Sequence, residues 1–188
     1  AQATAVRPVP DGGAGGVGSI AIQLAKWSGL TVTATASREE TSTWVKKLGA
    51  DNVVNHHESL NEQLDAEVDY ILCLNNTDQH WQAMAEIIKP QGKICSIVEN
   101  KEPLDLNLLK SKSATFVWEF MFTRAMYETD DMSKQHQLLN KVSKLIEEGH
   151  LQTTLTETLS PIEALTIKKA HKMVESGGMI GKVVVEGF

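Results

Sequence analysis

Gly13, Gly15 and Gly18 stand in a G-x-G-x-x-G spacing inside DGGAGGVGSIAIQLAKWSG, residues 11–29, and an apolar helical pattern opens directly behind them. The chemistry this spacing suits is the cradling of a pyrophosphate. Gly13 permits a sharp turn, Gly15 lets the backbone approach the phosphates, and Gly18 lets the following helix press close to a sheet. The N–H groups of Gly16, Val17 and Gly18 would then face the anion, aided by the helix dipole. Glycine also serves ordinary turns, so the surrounding elements have to support the motif.

They do so through alternation. Ile20, Ile22, Leu24 and Trp27 give the first helix a broad apolar face, and Gly29 is suited to stop it. LTVTATAS, residues 30–37, is β-branched and uncharged, as a buried strand is. A second helix follows from Ser37 to Gly49, then a short strand over 51–55 and a polar segment with a helical core over 56–65. VDYILCL, residues 68–74, suits a strand buried on both faces. A helix capped by Thr77 or Asp78 is stopped by Lys89-Pro90-Gln91-Gly92, and KICSIV, residues 93–98, is the fifth strand. Strand and helix alternating at this spacing predict an α/β fold with a doubly wound parallel sheet of the Rossmann type. Beyond it, the sequence predicts a short helix over 104–110, an aromatic-rich strand over 114–122 and an amphipathic helix over 131–148. An extended segment near 151–160, a helix over 161–175 and a strand over 182–186 complete the chain. Residues 1–11 fit less well. Pro8 and Pro10 remove ladder donors, so this stretch reads as irregular rather than as the central strand the motif needs.

At the tip of the second strand, where an NAD site places an acidic residue, the sequence reads Thr35-Ala36-Ser37-Arg38. A hydroxyl and a guanidinium suit a 2′-phosphate, which favours NADP(H) over NAD(H). Two alternatives remain open: Ser37 with Glu40 is also a capping box, and Glu39 could reach a ribose. The 188 residues carry 41% hydrophobic and 22% charged side chains and a formal charge of -6, the profile of a globular protein without a nucleic-acid partner. No signal peptide or membrane-crossing run is visible, and Cys73 and Cys95 read as buried free thiols, which points to the cytoplasm. No residues of this chain stand out as a catalytic acid or base. His56 and His57, on an extended segment, would point opposite ways and hold no metal. His80, His136, His150 and His171 are expected in solvent.

GGAGGVGSIAIQLAK, TASR, LGAD, the 68–74 run, KPQGK, LKSKS, WEFMFTR and IGKVVVEGF together resemble the medium-chain dehydrogenase/reductase superfamily, in its quinone-oxidoreductase-like, zinc-type alcohol dehydrogenase-like branch. The resemblance implies that Gly15, Gly16 and Val17 hold the pyrophosphate and that Ser37 and Arg38 hold the 2′-phosphate. It puts His56 beside the adenosine, Asn75 near a cofactor ribose, and Val98, Phe120 and Phe122 towards the nicotinamide. Core or subunit contact is the alternative for the two phenylalanines. It divides the chain into an irregular stretch at 1–11, a dinucleotide-binding domain at 12–150 and a segment at 151–188 that in relatives packs on an N-terminal barrel-like catalytic domain, absent here. It implies an oxidoreductase acting on a quinone, enone, or alcohol/carbonyl substrate, with zinc not expected in this chain and this portion inactive alone. Open alternatives are a non-catalytic NADP(H)-binding or dimerisation module and a fragment of a zinc-dependent alcohol dehydrogenase. A homodimer through the sheet edge near Thr115–Trp118 is implied as well.

Overall fold

The structure, a computed structural model, describes residues 4–9, 13–64 and 66–187. Six parallel strands form one sheet in the order β3-β2-β1-β4-β5-β6. They are β1 (Thr4–Val9), β2 (Thr31–Thr35), β3 (Asn52–Val54), β4 (Val68–Cys73), β5 (Ile88–Ser96) and β6 (Thr115–Trp118). This is the doubly wound order, in which the chain reverses direction across the sheet between β1 and β4 and opens a crevice at their carboxyl ends.

Helices α1 (Gly16–Trp27), α2 (Glu39–Lys47), α3 (Leu60–Gln63) and α4 (Thr77–Ile87) make the crossovers between the first five strands. One apolar cluster joins Ile22 of α1 and Val45 of α2 to Val32 and Ala34 of β2. A second packs Trp81 and Met84 of α4 on Val68, Ile71 and Ile94 of β4 and β5. In β2 every residue after Thr31 is buried, as a central parallel strand requires. His80 is buried on α4 and not in solvent, because its helical position turns it inward. Cys73 is buried as expected, whereas Cys95 is only half-buried.

Two sequence expectations are corrected here. Residues 4–9 are not irregular: they form β1, at the centre of the sheet. Pairing with β2 ends at Val32 opposite Val6, while pairing with β4 continues through Pro8 opposite Leu72 to Val9 opposite Cys73. The pairing seen at Pro8 is with β4, and a parallel strand residue has a single N–H to donate, so the donor that Pro8 lacks interrupts one ladder only. Pro10 lies outside the described residues. Secondly, residues 89–92 do not merely stop α4. They lie inside β5 as a bulge, where the pairing steps from Val68–Ile88 to Tyr70–Lys93 and Gln91 takes a φ of 61°.

After β6 come α5 (Thr123–Met126), α6 (Ser133–Glu147) and a separate two-stranded parallel sheet of β7 (Leu155–Leu159) and β8 (Lys182–Val185), linked by α7 (Ala164–Glu175). No helix among the described residues is long and apolar enough to cross a membrane.

Candidate functional site

The described part of the glycine loop, Gly13 to Gly15, leads into α1. Gly15 is the extended residue before the helix, with φ −71° and ψ 177°, and the first helical bond runs from Ser19 N–H to the Gly15 carbonyl at 2.9 Å. The N–H groups of Gly16, Val17 and Gly18 are thereby left without helical partners at the positive end of the dipole. Gly18 is buried on α1, and Gly13 makes the closer approach: a Cβ there would strike the Thr35 carbonyl of β2. The far side of the loop is clamped. The Ala14 carbonyl accepts from Ser19 Oγ at 3.1 Å and from Gly181 N–H at 2.8 Å, and Trp44 Nε1 of α2 donates to Ser19 Oγ at 2.8 Å. Buried polar groups satisfied in this way hold one geometry.

The tip of β2 differs in detail from its sequence reading. The capping pair is Arg38 with Thr41, not Ser37 with Glu40: Arg38 N–H donates to Thr41 Oγ1 at 3.2 Å, and Thr41 Oγ1 donates back to the Arg38 carbonyl at 2.8 Å. The helix starts one residue later than a Ser37 cap would need, which leaves Ser37 exposed at the mouth of the crevice. Arg38 points across that crevice and donates from its guanidinium to the Gly178 carbonyl at 2.8 Å.

A cavity of about 500 Å³ lies at the carboxyl ends of β1, β2 and β4. Gly13 and Gly15, Ser37 and Arg38, His56 and Asn75 all line it. His57 lines it too, with its ring centroid 4.2 Å from that of His56. Adjacent histidines share one side because this segment is a turn and not an extended strand. Asn55 Oδ1 accepts the His57 N–H at 3.1 Å and the Asn55 carbonyl accepts the Glu58 N–H. Among the described residues no group of three His, Cys, Asp or Glu side chains could hold a metal ion.

Val98 lies outside the cavity lining but is firmly held. Thr77 Oγ1 donates to its carbonyl at 2.6 Å and also meets Ser96 Oγ at 2.7 Å, both hydroxyls being fully buried. Cys73 joins the cluster: its Sγ donates to the Asn75 carbonyl at 3.3 Å, and burial pushes its thiol pKa up, keeping it protonated and inert. Phe120 and Phe122 are not brought to the cavity. They stack edge to face, 5.5 Å apart, each about half exposed beyond the outer strand β6.

Sequence reasoning missed one wall. Residues 176–179 close the cavity opposite the glycine loop, and the loop and β8 are joined by a bridge between Gly15 and Gly181. Gln23 of α1, itself buried, locks the entry to this segment, accepting the Gln152 N–H at 2.7 Å and donating to the Gln152 carbonyl at 3.1 Å. The signal was there in SGGMIGK, whose glycines permit φ values of +69° at Gly177 and +64° at Gly181.

These features agree with what known proteins show. The sequence model of a family described as zinc-binding dehydrogenase matches residues 48–185. A zinc-type alcohol dehydrogenase-like protein of Staphylococcus aureus (strain MSSA476) is 50% identical over 177 residues, covering 92% of this chain and 53% of its own. Among solved structures, a protein of Rhizobium etli CFN 42 described as a candidate zinc-dependent alcohol dehydrogenase superposes with a TM-score of 0.90 at 46% identity, over 99% of this chain and 54% of that one. The quinone oxidoreductase from Coxiella burnetii gives 0.74 at 27% identity, over 98% of this chain and 52% of that one. The chain thus spans about half the length of the relatives it matches. The resemblance to the quinone-oxidoreductase-like and zinc-type alcohol dehydrogenase-like branch is borne out, and with it the doubly wound fold. With the family pattern running through most of the sheet and the whole C-terminal wall of the crevice, this chain belongs to the zinc-binding dehydrogenase family.

Proposed function

We propose that the 500 Å³ cavity binds NADP(H), and that the chain is the cofactor-holding part of an oxidoreductase acting on a quinone, enone or carbonyl/alcohol substrate. One observation carries this reading: Gly13 and Gly15 of the glycine loop and the Ser37–Arg38 pair line one crevice at the switch point of the sheet, and the first-turn N–H groups of α1 follow Gly15 directly in the chain. The amides suit a diphosphate, the guanidinium suits a 2′-phosphate, and Asn75 at the end of β4 stands between them and the rest of the cofactor. A bound nicotinamide supplies the hydride chemistry, and the protein's part is to place and shield it.

A second copy of the chain is the proposed partner. β6 is the outer strand of the sheet, and Val117, Trp118, Phe120, Met121 and Phe122 expose apolar surface along it, an edge that needs covering. Sedimentation is expected to show a dimer, and a monomer at micromolar concentration would remove this part of the reading.

The cofactor is tested by titrating the chain with NADPH and with NADH, following nucleotide fluorescence. NADPH is expected to bind the more tightly. Equal or tighter binding of NADH overturns the 2′-phosphate site, and binding of neither overturns the nucleotide reading.

A further inference from the structure

We infer that residues 176–179 form a strap that Arg38 latches shut, and that a 2′-phosphate entering the crevice opens the latch by taking the guanidinium. This rests on the 2′-phosphate reading above and extends it from recognition to a movement of the chain. NADP(H) frees the strap, and NAD(H) leaves it latched.

The strap is a partition. On one side lies the 500 Å³ cavity, and on the other a second cavity of about 490 Å³ lined by Thr156, Glu157, Met173 and Ile180. Ser176, Gly178 and Met179 belong to both linings. The two ends of the strap are fixed. Ser176 N–H donates to the Lys172 carbonyl at 3.1 Å and so closes α7. At the other end the Ile180 carbonyl accepts from Thr156 Oγ1 at 2.6 Å, and Gly181 N–H donates to the Ala14 carbonyl.

Between those ends little holds it. Gly177 N–H reaches the Val174 carbonyl at 3.3 Å and Gly178 N–H reaches Ser176 Oγ at 3.4 Å, both long for hydrogen bonds and both local to the end of α7. Neither glycine has a side chain to pack, and a Cβ on Gly177 would meet nothing within 4 Å, so there is space beside the strap. Among the described residues, one hydrogen bond ties 177–179 to a distant part of the chain, that from Arg38 Nη2 to the Gly178 carbonyl at 2.8 Å. A segment with so few contacts opens locally once its tether is gone.

The latch is one that an anion can open. The backbone of Arg38 is fixed by its exchange with Thr41, so the side chain turns without disturbing α2. Its bond to Gly178 is exposed, and the acceptor there is an uncharged carbonyl. A phosphate offers the guanidinium fork two charged oxygens in place of one neutral one, and the bidentate pairing is the stronger. A ribose 2′-hydroxyl has no charge with which to compete. When the guanidinium turns to a phosphate, Gly178 loses its tether and the two cavities open into each other.

Amide hydrogen exchange on the whole chain reads the strap directly. Arg38→Ala is expected to speed exchange at Gly177, Gly178 and Met179 by about three- to tenfold, the scale of one exposed hydrogen bond, with β2 and α1 unchanged. Saturating adenosine 2′-monophosphate is expected to give the same rise in the unmodified chain and none further in Arg38→Ala. Adenosine 5′-monophosphate is expected to give no rise. Unchanged exchange in Arg38→Ala overturns the latch, and so does a rise spread over β2 and α1, which would make Arg38 a general support of the fold. A rise given by both nucleotides, or none from adenosine 2′-monophosphate while calorimetry shows it bound, overturns opening by a 2′-phosphate. Failure of adenosine 2′-monophosphate to bind at all would instead overturn the 2′-phosphate reading itself, and the opening with it.

Discussion

Arg38→Ala tests the proposed recognition of a 2′-phosphate apart from everything else the site does. In the structure Arg38 donates to the Gly178 carbonyl at 2.8 Å, and this bond is exposed. To engage a phosphate the guanidinium gives up or shares that bond, a net loss of about 0.5–1 kcal/mol since water takes over at the carbonyl. A charge-assisted fork to phosphate contributes about 1.5–3 kcal/mol. The difference, about 1–2 kcal/mol, is worth roughly 5- to 30-fold in NADPH affinity. The backbone bond from residue 38 to Thr41 Oγ1 survives the substitution, so α2 keeps its start and the fold its stability. Fluorescence titration should therefore show NADPH weakened by that factor and NADH unchanged. Arg38→Lys should fall between, because an ammonium keeps the charge and loses the fork. A loss shared equally by NADH, or no loss at all, would refute the reasoning and leave Arg38 as a pin for residues 176–178.

Two further outcomes concern the scaffold that presents the site. Thr77→Val keeps the shape of a fully buried side chain but removes the hydroxyl that serves Ser96 Oγ and the Val98 carbonyl. Calorimetry should show a loss of about 2 kcal/mol and a Tm lower by about 4–8 °C, and an unchanged Tm would mean the cluster adds nothing. Asp51 links β3 to the rest of the sheet: both its oxygens accept from Lys26 Nζ at 2.8 Å, and Oδ2 accepts the Val32 N–H at 2.7 Å. Burial pushes its pKa upward, but the Lys26 and Val32 contacts outweigh this and hold it below the ordinary 3.8. A lowered carboxyl stabilises the fold above the unfolded-state pKa and loses that contribution as pH falls through the folded value. Urea unfolding should show Asp51→Asn less stable by about 0.5–1 kcal/mol at pH 7, with the difference gone by pH 2, and a difference that persisted there would assign it to packing.

Much of the fold was legible because each element carries its own local signal. The β-branched run of β2, the apolar run of β4 and the amphipathic helices state their type within a few residues, and their alternation forces a parallel sheet. The glycine spacing likewise announced the loop, because close backbone approach and free N–H groups depend on residue type at fixed intervals. Pro8 of the first strand misled, since the cost of its missing donor depends on how the strand is paired at that height, and only the assembled sheet shows it seated opposite Leu72 of β4. The histidine pair misled for a similar reason: a turn set by Asn55, not an extended chain, aims both rings into one cavity.

The sequence by itself determined the glycine loop, the strand-and-helix order and the Ser37–Arg38 tip, each of them a property of contiguous residues. Only the tertiary structure decided what faces them. The C-terminal wall at 176–182 is more than 160 residues from Gly15 along the chain, and its place depends on Gln23 gripping Gln152 and on Ala14 accepting from Gly181. No local propensity encodes contacts of that separation. They follow from packing, once the sheet has brought both ends of the chain to the same crevice.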